Sequence, residues 1–253
     1  MNNIKFTLIL QARLKSTRLK EKVLKKIGQD EIVKFIQKRL ITLSNLIDNF
    51  ILAVPENEIN IFSKLLISGF KLEGGSEKNV LERFAIIYNK FDADYLIRAT
   101  CDNPFTSLIV LKDNIEYLNS INKTHGKLPD YFVRENLPLG TQTEFIKKEA
   151  FWENYQNASK SYHFEHVSPY IYENENKFYI LRKPFNYFNK ISNLRLTVDT
   201  EKDYIVVQNI INNFNDIDKP YYLIDIDDIE KIYLKNKELL ELNIDVIQKN
   251  YKE

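Results

Sequence analysis

The sequence predicts an α/β fold: a Rossmann-like core around a mainly parallel sheet, with an inserted, smaller α+β subdomain. Four short apolar runs of strand length recur early in the chain, at residues 6–10, 50–54, 70–73 and 95–99. The segments between them carry apolar residues at helical spacing. This β-α-β-α-β-α-β order argues for parallel strands joined by right-handed crossovers. The pattern then changes at about Asn122 and resumes at about Leu194, so residues 4–121 and 194–253 read as the core and 122–193 as an insertion.

The first run, with Phe6, Leu8, Ile9 and Leu10, has the composition of a buried strand. It turns at once into a segment holding Arg13, Lys15, Arg18, Lys20 and Lys22 against one acid, Glu21, with the hydroxyls of Ser16 and Thr17 between. A strand ending this way presents cations at the edge where open α/β sheets bind ligands. Fixed Arg forks and a Lys point charge suit phosphate oxygens, triphosphate foremost. The plain alternative is a solvated basic turn.

Ile32, Phe35, Ile36, Leu40 and Leu43 predict a helix over 31–43. The second strand, 50–54, is closed by Pro55; a helix over 57–68 is stopped by Gly69. After the third strand, Gly74-Gly75-Ser76 gives backbone amides room to turn toward a ligand, with Ser76 or Asn79 available to cap the helix over 79–90. Arg83 in that helix reads as structural or surface. The fourth strand runs into Thr100-Cys101-Asp102-Asn103-Pro104. A carboxylate just past a strand, fixed by a nearby proline, suits a divalent cation, while a turn-forming Asp is the alternative. Cys101 reads as a small buried space-filler.

Beyond Asn122, residues 127–140 show no clear period. A strand is expected over 143–146, helices over 148–158 and 164–172, and strands over 178–182 and 194–198. In the last, Leu194, Leu196 and Val198 alternate with polar residues, and Thr200 or Asp199 itself can cap the helix that follows. Helices fill much of the chain from Glu201 onward.

Composition narrows the function. With 253 residues, 44% of them hydrophobic, there is ample material for a core. The net charge of +1 gives no general attraction to nucleic acid or membrane, so the local basic loop fits a small anion. RNA binding through that loop lacks the support of a basic, aromatic-interleaved sheet motif. One cysteine excludes an intramolecular disulfide and a Cys-rich zinc site. No apolar run approaches the roughly 20 residues that span a bilayer. Met1 to Lys5 lead into the first strand without a signal-like apolar stretch, so a cytoplasmic location is expected.

The segment from Gln11 to Leu24 reads Q-A-R-x-x-S-T-R-L-x-x-K-V-L and resembles the signature loop of bacterial cytidylyltransferases of the spore-coat-polysaccharide SpsF type. These are related to the synthetases of CMP-Kdo and CMP-sialic acid. The resemblance implies a nucleotidyltransferase core whose loop wraps the phosphates of CTP, with Leu10, Ala12, Arg13, Ser16, Arg18 and Lys22 at the nucleotide. The family usually carries Gly at Lys15 and Pro-Gly at Lys20-Glu21, and losing these removes places for close backbone approach. The stretch from Gly75 to Arg83 is similar to the family's G-S-x-x-x-V-L-x-R, placing Ser76 by the base and ribose. Arg98 to Pro104 matches R-x-x-G-D-x-P with Cys101 for Gly, which implies Asp102 as a magnesium ligand. Arg195 to Tyr204 matches R-L-T-V-D-T-x-x-D-Y, which implies Asp199 as the second.

Pro138 to Phe145 and Phe164 to Tyr170 resemble family segments bordering the acceptor pocket, which implicates Gln142 (where the family has Asp), Glu144, Glu165 and His166. His166 is placed to help take a proton. His125 and His163 lie in no motif. The implied reaction moves CMP from CTP to a sugar acid or related acceptor with release of pyrophosphate, using Mg²⁺, for surface glycan synthesis. The other readings are a polyol phosphate acceptor and a nucleotide-binding protein without catalysis. The related synthetases suggest a homodimer.

Overall fold

Strand β1 (Phe6–Gln11) is buried at all but its last residue, as a parallel strand with neighbours on both sides must be. The computed structural model describes residues 3–16, 18–250 and 252. After β1 come β2 (Lys26–Ile27), β3 (Asp30–Glu31), α1 (Ile32–Leu40), β4 (Asn49–Pro55), α2 (Ile59–Phe62), β5 (Phe70–Gly75), α3 (Val80–Lys90), β6 (Tyr95–Thr100) and α4 (Leu108–Lys123). The second half holds β7 (Tyr131–Glu135), β8 (Glu144–Lys147), α5 (Lys148–Asn157), α6 (Ser161–His166), α7 (Pro169–Tyr172), β9 (Ile180–Pro184), α8 (Glu201–Asn212), α9 (Ile226–Lys235) and α10 (Lys237–Leu240).

A seven-stranded sheet runs in the order β5-β4-β1-β6-β8-β7-β9, and β2 with β3 forms a separate two-stranded ribbon. Strands β5, β4, β1 and β6 are parallel. Strand β8 is antiparallel to both β6 and β7, and β9 is parallel to β7. The chain leaves β1 toward β4 on one side and reaches β6 on the other. The crevice beyond the carboxyl ends of β1 and β6 is therefore the topological switch point. Alternating side chains feed two apolar layers. Phe6, Leu8 and Leu10 join residues of α1, α4, α8 and α9, while Ile9, Ile51 and Leu96 join residues of α3, α5 and α7.

The four early strands and the helices over 31–43 and 79–90 form as the periodicity predicts. Asn79 caps α3 by accepting from the Glu82 amide at 2.9 Å. The helix expected over 57–68 is broken into the four-residue α2 between two 3-10 turns. Gln37 of α1 ends it, donating to the Leu65 carbonyl and accepting from the Ile67 amide. Helix α4, capped by Ser107, and strand β7 occupy stretches for which the sequence suggested neither. The helix expected over 164–172 splits into α6 and α7 at Val167, whose φ of 69° no helix accommodates. Residues 194–198 join no sheet; they bridge to Leu139 through Arg195, and the Val198 amide donates to the Asp102 carbonyl. Strands β7, β8 and β9, all within 122–193, continue the main sheet. Among the described residues no helix is long and apolar enough to cross a membrane.

Candidate active site

Two carboxylates from distant parts of the chain meet at the switch point. Asp102 lies two residues past β6, and Asp199 precedes the Thr200 cap of α8. Their turns are fastened together: the Val198 amide donates to the Asp102 carbonyl at 2.7 Å. The loop before β8 closes the third side, because the Leu139 amide donates to Leu194 and the Leu196 amide to Leu139. Gly140 permits this approach. It sits at φ 94°, and a Cβ there would come within 2.6 Å of the Thr197 backbone nitrogen.

The basic loop brings its cations to this pair. Lys22 Nζ lies 3.0 Å from Asp102 Oδ2 and 2.9 Å from Asp199 Oδ1, and Arg18 Nη2 lies 3.0 Å from Asp199 Oδ2. Burial works against the Lys22 charge, yet the two carboxylates outweigh it and raise its pKa. For Asp102, burial is likewise the largest single effect and pushes upward. Lys22 and a hydrogen bond from Thr100 together reverse it and hold the carboxyl below its usual range. Neighbouring Cys101 is buried, and its pKa is pushed far up, first by burial and then by Asp102.

Asp199 has a second mount. Its Oδ2 also accepts from Arg195 Nη2 at 2.8 Å. Arg195 Nε reaches Asp203 Oδ1 at 2.8 Å, and Asp203 Oδ2 accepts from the amides of Asp199 and Thr200. Asp203 is thus both the capping-box partner of Thr200 and the anchor of Arg195. Both lie inside the Arg195 to Tyr204 motif, where the sequence offered no reason to single them out.

The remaining loop residues spread from this centre. Leu10 and Ala12 are buried, and the Ala12 amide donates to the Ala53 carbonyl at 3.0 Å. Arg13 is exposed and pairs with Glu165 at 2.9 Å. Ser16 is half-buried, and Thr17 lies outside the described residues. Glu21, at the position where the resembling family has glycine, holds the left-handed conformation with φ 48°. Ser76 accepts from the Asn79 amide at 3.0 Å. Arg83 is buried rather than on the surface, donating to the carbonyls of Ser76 and Ala53. Burial, then the charge of Arg13, lowers its pKa to about 10.

A polar cluster on β6 and β8 adjoins. Glu144 accepts from Arg98 Nη1 at 2.9 Å, from the Tyr131 hydroxyl at 3.0 Å and from the Ser168 hydroxyl at 2.9 Å. Arg98 also feels the charge of Asp102. His166 is half-buried, and burial, then the charge of Arg98, lowers its pKa, so it is neutral at pH 7. The backbone between His166 and Ser168 is a strained γ-turn, with the Ser168 amide donating to the His166 carbonyl at 2.8 Å across Val167 (φ 69°, ψ −55°). Gln142 turns inward, donating to the Leu137 carbonyl at 3.3 Å. Arg98, Tyr131 and Ser168 were not anticipated as members of this group.

A core carrying paired carboxylates and a cationic loop at the carboxyl edge of β1 defines a nucleotidyltransferase-like fold. Residues 7–250 match the cytidylyltransferase family model, and the chain belongs to that family. It is 35% identical over 246 residues to an uncharacterized protein of Methanocaldococcus jannaschii, covering 97% of each chain. It is 29% identical to the spore coat polysaccharide biosynthesis protein SpsF of Bacillus subtilis, over 81% of this chain and 84% of that one. A cytidylyltransferase structure from Leptospira borgpetersenii superposes with a TM-score of 0.81 at 22% identity, covering 94% of this chain and 97% of the other. A CMP:2-keto-3-deoxy-manno-octonic acid synthetase complexed with CTP superposes with a TM-score of 0.57 at 13% identity, covering 82% and 98%.

Proposed function

We propose that this cytidylyltransferase moves CMP from CTP to a sugar acid or closely related acidic acceptor for surface glycan synthesis, through the site at Asp102 and Asp199. The observation that carries the reading is the meeting of Arg18, Lys22, Asp102 and Asp199 in one ion cluster, although they come from three separate sequence motifs. An acceptor oxygen attacks the α-phosphorus in line, the bond to the bridging oxygen breaks, and pyrophosphate leaves. Catalysis of such a step is mainly positioning and charge neutralisation.

The two carboxylates suit a hard cation. They converge on one point, held by the Lys22 ammonium, and offer only oxygen donors. Among the described residues no three His, Cys, Asp or Glu side chains group to hold a metal. Two carboxylates with phosphate oxygens and water are nevertheless the usual company of Mg²⁺. When bound, Mg²⁺ supplies charge neutralisation at the phosphates. With Mg²⁺ held by the carboxylates, Lys22 would be available to join Arg13 and Arg18 on the β- and γ-phosphates, with Leu10, Ala12, Ser16 and Ser76 lining the nucleotide. Residues 122–193 shape the acceptor side through Gln142, Glu144, Glu165 and His166, and neutral His166 is able to accept a proton. The relatedness to SpsF and to the CMP-linked sugar-acid synthetase supports this acceptor class, and a homodimer and a cytoplasmic location are proposed with it.

Calorimetric titration with CTP, ATP, GTP and UTP, with and without Mg²⁺, tests the donor half. Metal-dependent binding selective for CTP is expected, and binding of none of them would remove the reading. A pyrophosphate-release screen then separates sugar acids from polyol phosphates, and an active enzyme from a protein that only binds nucleotide.

A further inference from the structure

Asp199 divides its two oxygens between two tasks. Oδ1 accepts from Lys22, the cation it shares with Asp102, and Oδ2 is held by Arg195 at 2.8 Å from behind and by Arg18 at 3.0 Å from the basic loop. Arg195 therefore decides which oxygen looks into the site. Its own placement depends on the last segment of the chain.

Within residues 241–250 only Asn243 is buried, at 1% exposure, while its neighbours Leu242 and Ile244 are 44% and 68% exposed. An amide drawn inside from so exposed a segment needs partners, and Asn243 Nδ2 has two. It donates to the Arg195 carbonyl at 2.9 Å and to Asp203 Oδ1 at 2.8 Å. Asp203 is the same carboxylate that holds Arg195 Nε and the Asp199 amide. From further along, the Gln248 side-chain oxygen accepts from Arg195 Nη1. Both the backbone and the guanidinium of Arg195 are thus gripped by residues more than forty positions away.

We propose that Asn243 and Gln248 are positioning residues for Asp199, acting through Arg195 and Asp203, so that the carboxyl-terminal segment is a working part of the metal site. Losing a group that orients a metal ligand from behind typically weakens metal binding by about 10–100-fold. The inference rests on the reading of Asp199 as a metal ligand, and its test keeps the two apart.

Mn²⁺ binding to the full chain with CTP present is followed by water-proton relaxation, and the fold of each variant by circular dichroism. Asn243→Ala is expected to weaken Mn²⁺ by about tenfold while the circular-dichroism spectrum of the variant stays unchanged. Gln248→Leu, at an exposed position that folding tolerates, is expected to weaken Mn²⁺ in the same direction by a smaller factor. Gln248→Glu, which keeps the acceptor, restores it. Asp199→Asn is the reference. Should it lose Mn²⁺ while folded Asn243→Ala and Gln248→Leu bind it like the unaltered chain, the positioning role is overturned and the site reading stands. Should Asp199→Asn itself bind Mn²⁺ unchanged, the site reading fails and this inference with it.

Discussion

The Val198 amide donates to the Asp102 carbonyl at 2.7 Å, so the turn after β6 and the turn before α8 move as one body. The spacing of the two carboxylates is therefore set by backbone, while the cations around them sit on side chains. Asp102→Asn or Asp199→Asn should leave this backbone tie and the fold in place while pyrophosphate release falls by a hundredfold or more, on the order of the loss of a transition-state charge partner. Activity near that of the unaltered chain in either variant would remove the carboxylate pair from the chemistry.

Arg18 touches the cluster through Asp199, with its side chain 29% exposed. Its removal should leave the fold in place, because Asp199 keeps the partners Lys22 and Arg195 and is not left as an unpaired buried charge. The CTP concentration needed for half-maximal rate should rise by about tenfold, the loss of one charge-assisted bond. An unchanged CTP dependence would assign Arg18 to the surface.

Glu21 is a non-glycine residue held at φ 48°. The left-handed region costs an L-residue about 1–2 kcal/mol, and glycine's greater freedom in the unfolded chain returns part of that. Glu21→Gly should raise stability by about 0.5–1 kcal/mol in urea denaturation. A destabilised variant would mean that the Glu21 side chain contributes more than its backbone strain costs.

Val167 combines complete burial with φ 69° and ψ −55°. Truncation in a core normally costs more the more is removed. Here Ala keeps the strain and loses the packing, whereas Gly loses slightly more packing but releases about 1–3 kcal/mol of strain. Val167→Gly should therefore unfold no more easily than Val167→Ala, and the reverse order would show that the turn is not strained. Both variants should raise the acceptor KM more than the CTP KM, since His166 and Ser168 flank the turn.

Two contributions to the acid limb of stability come from the site, beside carboxylates elsewhere such as Glu173, which is held to about 2 against burial by hydrogen bonds from His163, Tyr162 and Lys160. Asp102 and Asp203 both titrate below their ordinary value when folded. For Asp203, burial is the largest effect and opposes this, but hydrogen bonds from Arg195 and Asn243 prevail. Their contribution is present above about pH 4 and is lost as pH falls through the lower folded values. His166, also depressed, acts earlier. The unfolded chain takes up a proton near pH 6.5 that the folded chain resists, so stability declines gently below that point. Lys22, raised, keeps its contribution up to its ordinary value near pH 10.4 and loses it only above its folded value. Urea midpoints at pH 8, 5.5 and 3.5 should fall in both steps, and His166→Gln should flatten only the first. A first step that persists in that variant would place its origin elsewhere.

The parallel half of the sheet was legible because each of its strands is short, apolar and bounded by a turn signal. The local patterns at Asp102 and Asp199 fit a turn and a helix cap as well as a metal, and only the resemblance to two family motifs singled them out as a pair. Helix α4 was less legible, since its apolar residues begin in the loop left by Pro104 and no charged face marks its start. The split at Val167 had no local signal: a β-branched residue is a poor candidate for positive φ, and only tertiary packing holds it there. The strand expected over 194–198 has the right alternation, but its hydrogen bonds go to the turns at Leu139 and Asp102 instead of a neighbouring strand. Arg195, Asp203 and Asn243 meet only after the chain has folded back on itself, a relationship that no spacing encodes.

Cys101, the chain's single thiol, is sealed beneath Asp102 and kept protonated well beyond neutral pH. A thiolate is the reactive form, so an alkylating reagent finds nothing to attack while the floor of the cleft stays shut. Labelling then reports how often the segment around Cys101 opens. The molecule thus carries its own clock, placed by the sequence one residue from the carboxylate whose steadiness matters most.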